Sequence, residues 1–246
     1  MEWHDEGIIL GVRKHGETAA IVSLLTREHG RHMGLVRGGQ SRRRQGLLQP
    51  GNLVSAGWRA RLAEHLGTFT LETGRDFAAD VLDDGLRLKA LSALTALLES
   101  TLAEQDPQPQ IYALSLGMIQ RLVLAEAKGA ELAWLGDYVR WEVDLLRNIG
   151  FGLDLGTCAA TGTTEELIYV SPRSGRAVSA AAGAPWREKL LDLPGFLGEP
   201  EAVPASLGEI SDGLRLTGHF LKRHQFSADS QRSPAARDRL VAALGG

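Results

Sequence analysis

Ala19-Ala20-Ile21-Val22-Ser23-Leu24-Leu25-Thr26, closed by Arg27-Glu28-His29-Gly30 and answered by Arg31-His32-Met33-Gly34-Leu35-Val36, reads as two short β-strands joined at a tight turn. Apolar residues cluster or alternate over six to eight positions and the break falls on a glycine, which is strand texture rather than helical periodicity. The same texture extends outward to residues 7–12 before the pair and to residues 52–62 and 67–72 after it, with further breaks at His15-Gly16, Gly38-Gly39 and Glu64-His65. Five short strands in about seventy residues predict a small closed barrel. An oligonucleotide-binding (OB) barrel and a five-stranded SH3-like barrel both fit this pattern.

Between the third and fourth strands lies Arg37-Gly38-Gly39-Gln40-Ser41-Arg42-Arg43-Arg44, followed by Leu48-Gln49-Pro50-Gly51. Four guanidinium groups in a glycine-flanked turn suit phosphate oxygens, because arginine presents a rigid fork of donors and glycine lets backbone approach a ligand. A solvated surface loop is the plain alternative, since Arg outnumbers Lys 22 to 5 in this chain. Charge distribution favours the grip. Residues 1–75 carry eleven Arg and Lys against seven Asp and Glu, and residues 76–246 carry sixteen against twenty-three, so a basic front third precedes an acidic remainder.

From about residue 80 the period becomes helical, with Leu86, Leu88, Leu91, Leu94, Leu97, Leu98 and Leu102 on one face before Asp106-Pro107. Further helices are predicted over residues 111–127, 132–148, 207–223 and 235–244, the last entered through Ser233-Pro234 with Ser233 as N-cap. Residues 151–204, rich in Gly, Ala, Thr and Pro, read as a loop-rich insertion with one strand-like run at residues 167–170. The expected organisation is thus α+β: a barrel domain over residues 1–78, then a helical domain over residues 79–246 interrupted at about 151–204.

Several function classes are excluded. The chain contains no GxxxxGK[ST], HExxH or GxSxG pattern, and Cys158 has no base beside it in sequence, so no catalytic activity and no small-molecule substrate are expected. One cysteine forbids an intramolecular disulfide. The opening Met1-Glu2-Trp3-His4-Asp5-Glu6 lacks the basic and apolar profile of a secretory signal, and no apolar run reaches membrane-spanning length, so the expectation is a cytoplasmic protein with no membrane contact.

The arginine tract with Leu48-Gln49-Pro50 resembles the basic-Gly-x-x-Ser-basic-Arg and Leu-Gln-Pro signature of the RecO family of bacterial recombination mediators. Trp141-Glu142-Val143-Asp144-Leu145-Leu146-Arg147-Asn148-Ile149-Gly150-Phe151 resembles that family's aromatic-Glu-x-x-Leu-Leu segment, and Leu155-Gly156-Thr157-Cys158-Ala159-Ala160-Thr161-Gly162 its Cys-x-x-[Cys/Thr]-Gly stretch. Order and spacing hold over nearly the whole chain. The resemblance implies an N-terminal OB fold and no catalysis. It further implies binding to single- and double-stranded DNA, annealing of complementary strands, contact with the C-terminal tail of single-strand-binding protein (SSB), and work with RecR that indirectly assists RecA. Many members hold zinc with two CxxC pairs; here Thr161 takes the second position and Ser179-Ala180-Ala181-Ala182 the region of the second pair, so neither structural zinc nor any other cofactor is expected.

Candidate DNA contacts are Arg37, Arg42, Arg43 and Arg44, with Arg13, Lys14, Arg27 and Arg31 on neighbouring strands as further candidates, although Arg27 beside Glu28 and Lys14 near Glu17 equally suit local ion pairs. Trp58 and Phe69 read as core more readily than as base-stacking residues, and Trp3 lies in what reads as an unstructured start. Arg121, Arg140 and Arg147, with Trp141 among apolar neighbours, form a candidate cationic rim for the SSB tail. The alternative function is a protein-interaction adaptor whose barrel and arginine loop meet an acidic partner.

Overall fold

The structure is a computed structural model that describes residues 1–62, 65–125, 131–199, 201–224 and 234–245. Its compact units are Met1–Leu124 and Ala125–Gly246. The change from strand to helix near residue 78 therefore falls inside the first unit.

Five strands build the first unit: β1 (Glu2–His15), β2 (Ala19–Thr26), β3 (Gly30–Val36), β4 (Leu53–Arg59) and β5 (Thr68–Arg75). They close into a barrel in the order β1-β2-β3-β5-β4. β1 is long because it serves two neighbours: residues 2–8 pair antiparallel with β4 and residues 7–15 with β2, and the register shifts between Ile9 and Gly11. β3 meets β5 in parallel at Leu35 and Thr68, and β4 and β5 pair antiparallel. This closed order settles the choice between barrels in favour of the OB type. Inward positions alternate along the strands, so Ile9, Val22, Leu24, Val36, Val54, Trp58 and Phe69 fill the interior. Trp58 stays within that core because its indole N–H donates to the Leu66 carbonyl at 3.2 Å.

The start of the chain departs from the sequence reading. Trp3 is part of β1, paired across to Trp58, rather than in an unstructured segment. Residues 2–6 alternate exposed and half-buried, so the polar members that disguise the strand are its solvent face.

α1 (Arg42–Gln45) lies between β3 and β4, and α2 (Phe77–Asp80) follows β5. α3 (Gly85–Thr101) begins at Asp84, whose carboxylate accepts from the backbone N–H groups of Leu86 and Arg87, and it buries Leu91, Leu94, Leu97 and Leu98 against β1 and its neighbours. α4 (Pro109–Leu124) is tied to β1 by the Tyr112 hydroxyl, which donates to Glu6 at 2.7 Å. The predicted end of this helix at Ala127 lies outside the described residues, as does Ser233.

The second unit pairs α5 (Glu131–Asn148) with α7 (Leu207–His224). Residues 151–204, expected as a loop-rich insertion with one strand-like run at residues 167–170, carry a three-stranded sheet of order β7-β6-β8, made of β6 (Leu167–Val170), which is that run, β7 (Ala177–Ser179) and β8 (Leu191–Asp192), with α6 (Ala180–Gly183) between β7 and β8. Strands of four, three and two residues are too short to show a period. α8 (Ala235–Ala243) closes the unit.

Candidate nucleic-acid interface

The arginine tract is a braced excursion. β3 ends at Val36, Gly38 turns the chain at φ +65°, and Gln40 then reaches back to the β1–β2 turn, its backbone N–H donating to Thr18 and its side-chain amide to the carbonyls of Gly16 and Ala19 at 2.9 Å each. Ser41 starts α1, and Leu48, which follows it, is buried in the barrel core. Asn52 holds the far end: its side-chain amide donates to the carbonyls of Gly46 and Leu47, and its side-chain oxygen accepts from Ala78. Gly51 sits at φ +95° with Leu91 so close that an added Cβ would lie 2.6 Å from it. Glycine is needed there for both conformation and space. Gln40 and Asn52 carry no charge, and nothing in their spacing marks them; they are the bracing positions of the loop that sequence reasoning missed.

Within this frame Arg37 and Arg42 are exposed and Arg44 is half-buried, with Arg43 on the same helical turn. Among the described residues, Arg37, Arg42 and Arg44 have no carboxylate within 4 Å to neutralise them. Lys14 pairs with Ala20 across β1 and β2, and Ala20 with Val36 across β2 and β3, so exposed Arg13 and Lys14 share the barrel end that carries the loop. Arg13 also donates to the Met33 sulfur at 3.3 Å.

Arg27 and Arg31 lie elsewhere. They flank the β2–β3 turn, seven steps along β2 from Ala19, or about 23 Å at 3.3 Å per residue. Arg27 is exposed, and neither Arg27–Glu28 nor Lys14–Glu17 closes to an ion pair among the described residues. Arg31 is committed to the fold: its Nε donates to the Leu102 carbonyl at 2.8 Å and its Nη2 pairs with Glu104 at 3.2 Å, fastening β3 to the end of α3. Of the possible stacking residues, Trp58 and Phe69 are interior, at 2% and 3% exposure, and Trp3 is half-buried.

The second candidate region lies in the second unit. Arg140 and Arg147 line one cavity of about 460 Å³ whose apolar walls are Val143, Leu153, Leu155 and Leu197. Arg140 is heavily engaged there, donating to the carbonyls of Phe196, Glu199 and Ala202 while its guanidinium covers the Phe196 ring. Arg147 is exposed and paired with Asp144 at 2.6 Å. Trp141, expected beside them, is a core residue at 3% exposure and does not line this cavity. Arg121 belongs to α4 of the first unit.

Cys158 occupies a small core with Tyr169 and Val178. A hydrogen bond from the Thr161 hydroxyl, with others from the Ser179 backbone and hydroxyl, pulls its thiol down to about 6. Hydrogen bonds and packing thus link Cys158 to Ser179, in the region where many family members carry their second CxxC pair. Among the described residues no group of three or more His, Cys, Asp or Glu could hold a metal ion.

The family model described as "Recombination protein O N terminal" matches residues 1–74, and "Recombination protein O C terminal" matches residues 82–231. The chain belongs to the RecO family. Relatives named "DNA repair protein RecO" align over nearly full length: 49% identity with the Rhodospirillum rubrum protein over 99% of this chain and 96% of that one, 51% with Rhodospirillum centenum over 98% and 94%, and 50% with Mesorhizobium japonicum over 99% and 94%. RecO is a DNA repair and recombination family, and the barrel with its braced arginine loop lies within the part matched by the RecO N-terminal model.

Proposed function

We propose that this chain is a cytoplasmic, non-catalytic recombination mediator that binds single- and double-stranded DNA through residues 37–44, anneals complementary strands, engages the SSB tail and, with RecR, helps RecA onto SSB-coated DNA. The observation that carries this reading is the loop itself: Arg37 and Arg42 project into solvent from a turn fixed at both ends by Gln40 and Asn52, with no carboxylate partner within 4 Å among the described residues. A braced backbone loses little conformational freedom when the arginines it carries meet phosphates, and phosphate contact does not depend on sequence. Arg13 and Lys14 extend the same cationic end. For the SSB tail, the cavity beside Arg140 and Arg147 supplies apolar walls and a cationic rim, with Arg147 the freer of the two.

Annealing of complementary strands coated with SSB, without ATP or added metal, tests the proposal. Wild type should anneal rapidly, and a folded Arg42→Glu/Arg43→Glu/Arg44→Glu variant should not. Equal inactivity of both, with SSB binding retained, would favour the adaptor reading.

A further inference from the structure

The barrel end opposite the arginine loop contains a cavity of about 370 Å³ whose lining includes Glu2, Trp3, Glu28, His29, His32 and Trp58. Its aromatic wall is preassembled. Trp3 stacks on His29 at 4.2 Å between ring centres and lies 5.7 Å from Trp58 at a 17° tilt, and the Asp5 carboxylate holds His29 through Nδ1 at 3.0 Å. His32 stands edge-on to both tryptophans.

His32 is only 6% exposed, yet both of its ring nitrogens lack a hydrogen-bond partner among the described residues. Buried polar atoms without partners are costly, and because His32 borders the cavity, a ligand seated there relieves them once the ring turns a nitrogen toward it. Burial, with the neighbouring His29, lowers the pKa of His32, so at neutral pH its ring offers one donor and one acceptor.

We propose that this cavity seats one unpaired DNA base that bears an exocyclic amino group, with His32 reading its edge. The proposal rests on the DNA-binding reading above and adds a base preference to it. The cavity is at the small end of ligand sites, which suits one base rather than two. Glu2 and Glu28 only accept hydrogen bonds, while the Gln105 amide can donate or accept, so the two carboxylates tip the cavity toward the amino groups of cytosine, adenine or guanine over thymine, which has none. The same carboxylates oppose a phosphate or an acidic peptide within the cavity. The flanking phosphates would instead meet Arg59, exposed on the residue after Trp58. A paired base has its edge occupied, so only single strands or extruded bases can use the site.

Fluorescence anisotropy with labelled oligodeoxycytidylate and oligothymidylate of about twelve nucleotides, within the span of one OB fold, tests this on the full chain. Wild type should bind the cytidylate roughly tenfold more tightly, the scale of a good base-edge contact. His32→Phe should keep thymidylate affinity and salt dependence, lose the preference, and melt no lower than wild type. Glu28→Gln, a surface change, should reduce the preference independently of how His32→Phe folds. No preference in wild type, a preference that survives both substitutions, or an acidic peptide that displaces either oligonucleotide only from proteins retaining His32 would overturn the proposal. Failure of wild type to bind either oligonucleotide would instead refute the DNA-binding reading itself.

Discussion

Arg237 of α8 sets its guanidinium against the carboxylate of Glu142 in α5 through two hydrogen bonds of 2.8 Å each, with side-chain exposures of 4% and 0%. The Thr217 hydroxyl donates to the same carboxylate at 2.5 Å, and Arg237 also donates to the Leu214 carbonyl, so three helices meet at one satisfied pair. Burial is the largest single influence on the pKa of Arg237 and would lower it, but the Glu142 charge and hydrogen bonds, with Tyr138 and Asp238, together outweigh it and hold the group above its ordinary value. Gly218 makes room, since a Cβ there would lie 2.9 Å from the guanidinium.

Removing either partner leaves an uncompensated buried charge. Glu142→Ala and Arg237→Ala should each cost about 3–5 kcal/mol in chemical denaturation, whereas the double substitution to leucine should cost less than either. Single variants within 1 kcal/mol of wild type (a limit set by the ~0–1 kcal/mol of exposed pairs) would mean that the pair is solvated in solution.

Asn52 braces the arginine loop from a nearly fully buried position. Asn52→Ala strands the carbonyls of Gly46 and Leu47 and the Ala78 N–H, which should lower stability by about 2–3 kcal/mol. It should also weaken single-strand binding although it removes no charge. Anisotropy on the folded variant checks this; unchanged DNA affinity would separate the brace from the interface.

Cys158, the only cysteine, gives an internal pH probe. Its thiol is held at about 6, against an ordinary 9.0, chiefly by the Thr161 hydroxyl. A depressed acidic group contributes stability that is complete above its ordinary pKa and fades as pH falls through the folded value, so this contribution should decline from about pH 9 and vanish below about pH 6. Ultraviolet thiolate absorbance of the native protein should titrate near 6, and Thr161→Val should move the midpoint upward. A midpoint that Thr161→Val leaves in place would assign the shift elsewhere.

Burial opposes ionisation of Asp84, but hydrogen bonds from the Arg87 backbone and side chain and from Leu86 outweigh it and lower its pKa below 3.8. The helix-capping stability is present above that ordinary value and lost as pH falls through the lower folded one. Asp84→Ala should cost about 1 kcal/mol at neutral pH in thermal or urea melts, and the difference from wild type should shrink in acid.

The barrel was legible because a five-stranded closed sheet has one interior, and each strand marks it with alternating apolar residues, as in Ala20, Val22 and Leu24. Residues 2–6 escaped because Glu2, His4 and Glu6 face solvent on a strand whose other face carries Trp3 and the polar Asp5. In the sheet at residues 167–192 the apolar run of residues 167–170 was legible as a strand, but its partners, of three and two residues, are shorter than any pattern. At the candidate interface, charge exposed Arg37 and Arg42, but charge alone does not separate a free arginine from a committed one. Arg31 fastens β3 to α3, and only the fold brings Glu104, 73 residues away, to its side. The Glu142–Arg237 pair, 95 residues apart, was hidden for the same reason.

The most direct test of the central claim is the salt dependence of single-strand binding. Four arginines that each neutralise one phosphate should contribute roughly −3 to the log–log slope at about −0.7 per contact, and Arg42→Glu/Arg43→Glu/Arg44→Glu should lower its magnitude by about 2. A wild-type slope that the folded triple variant reproduces would contradict the assignment of DNA binding to residues 37–44.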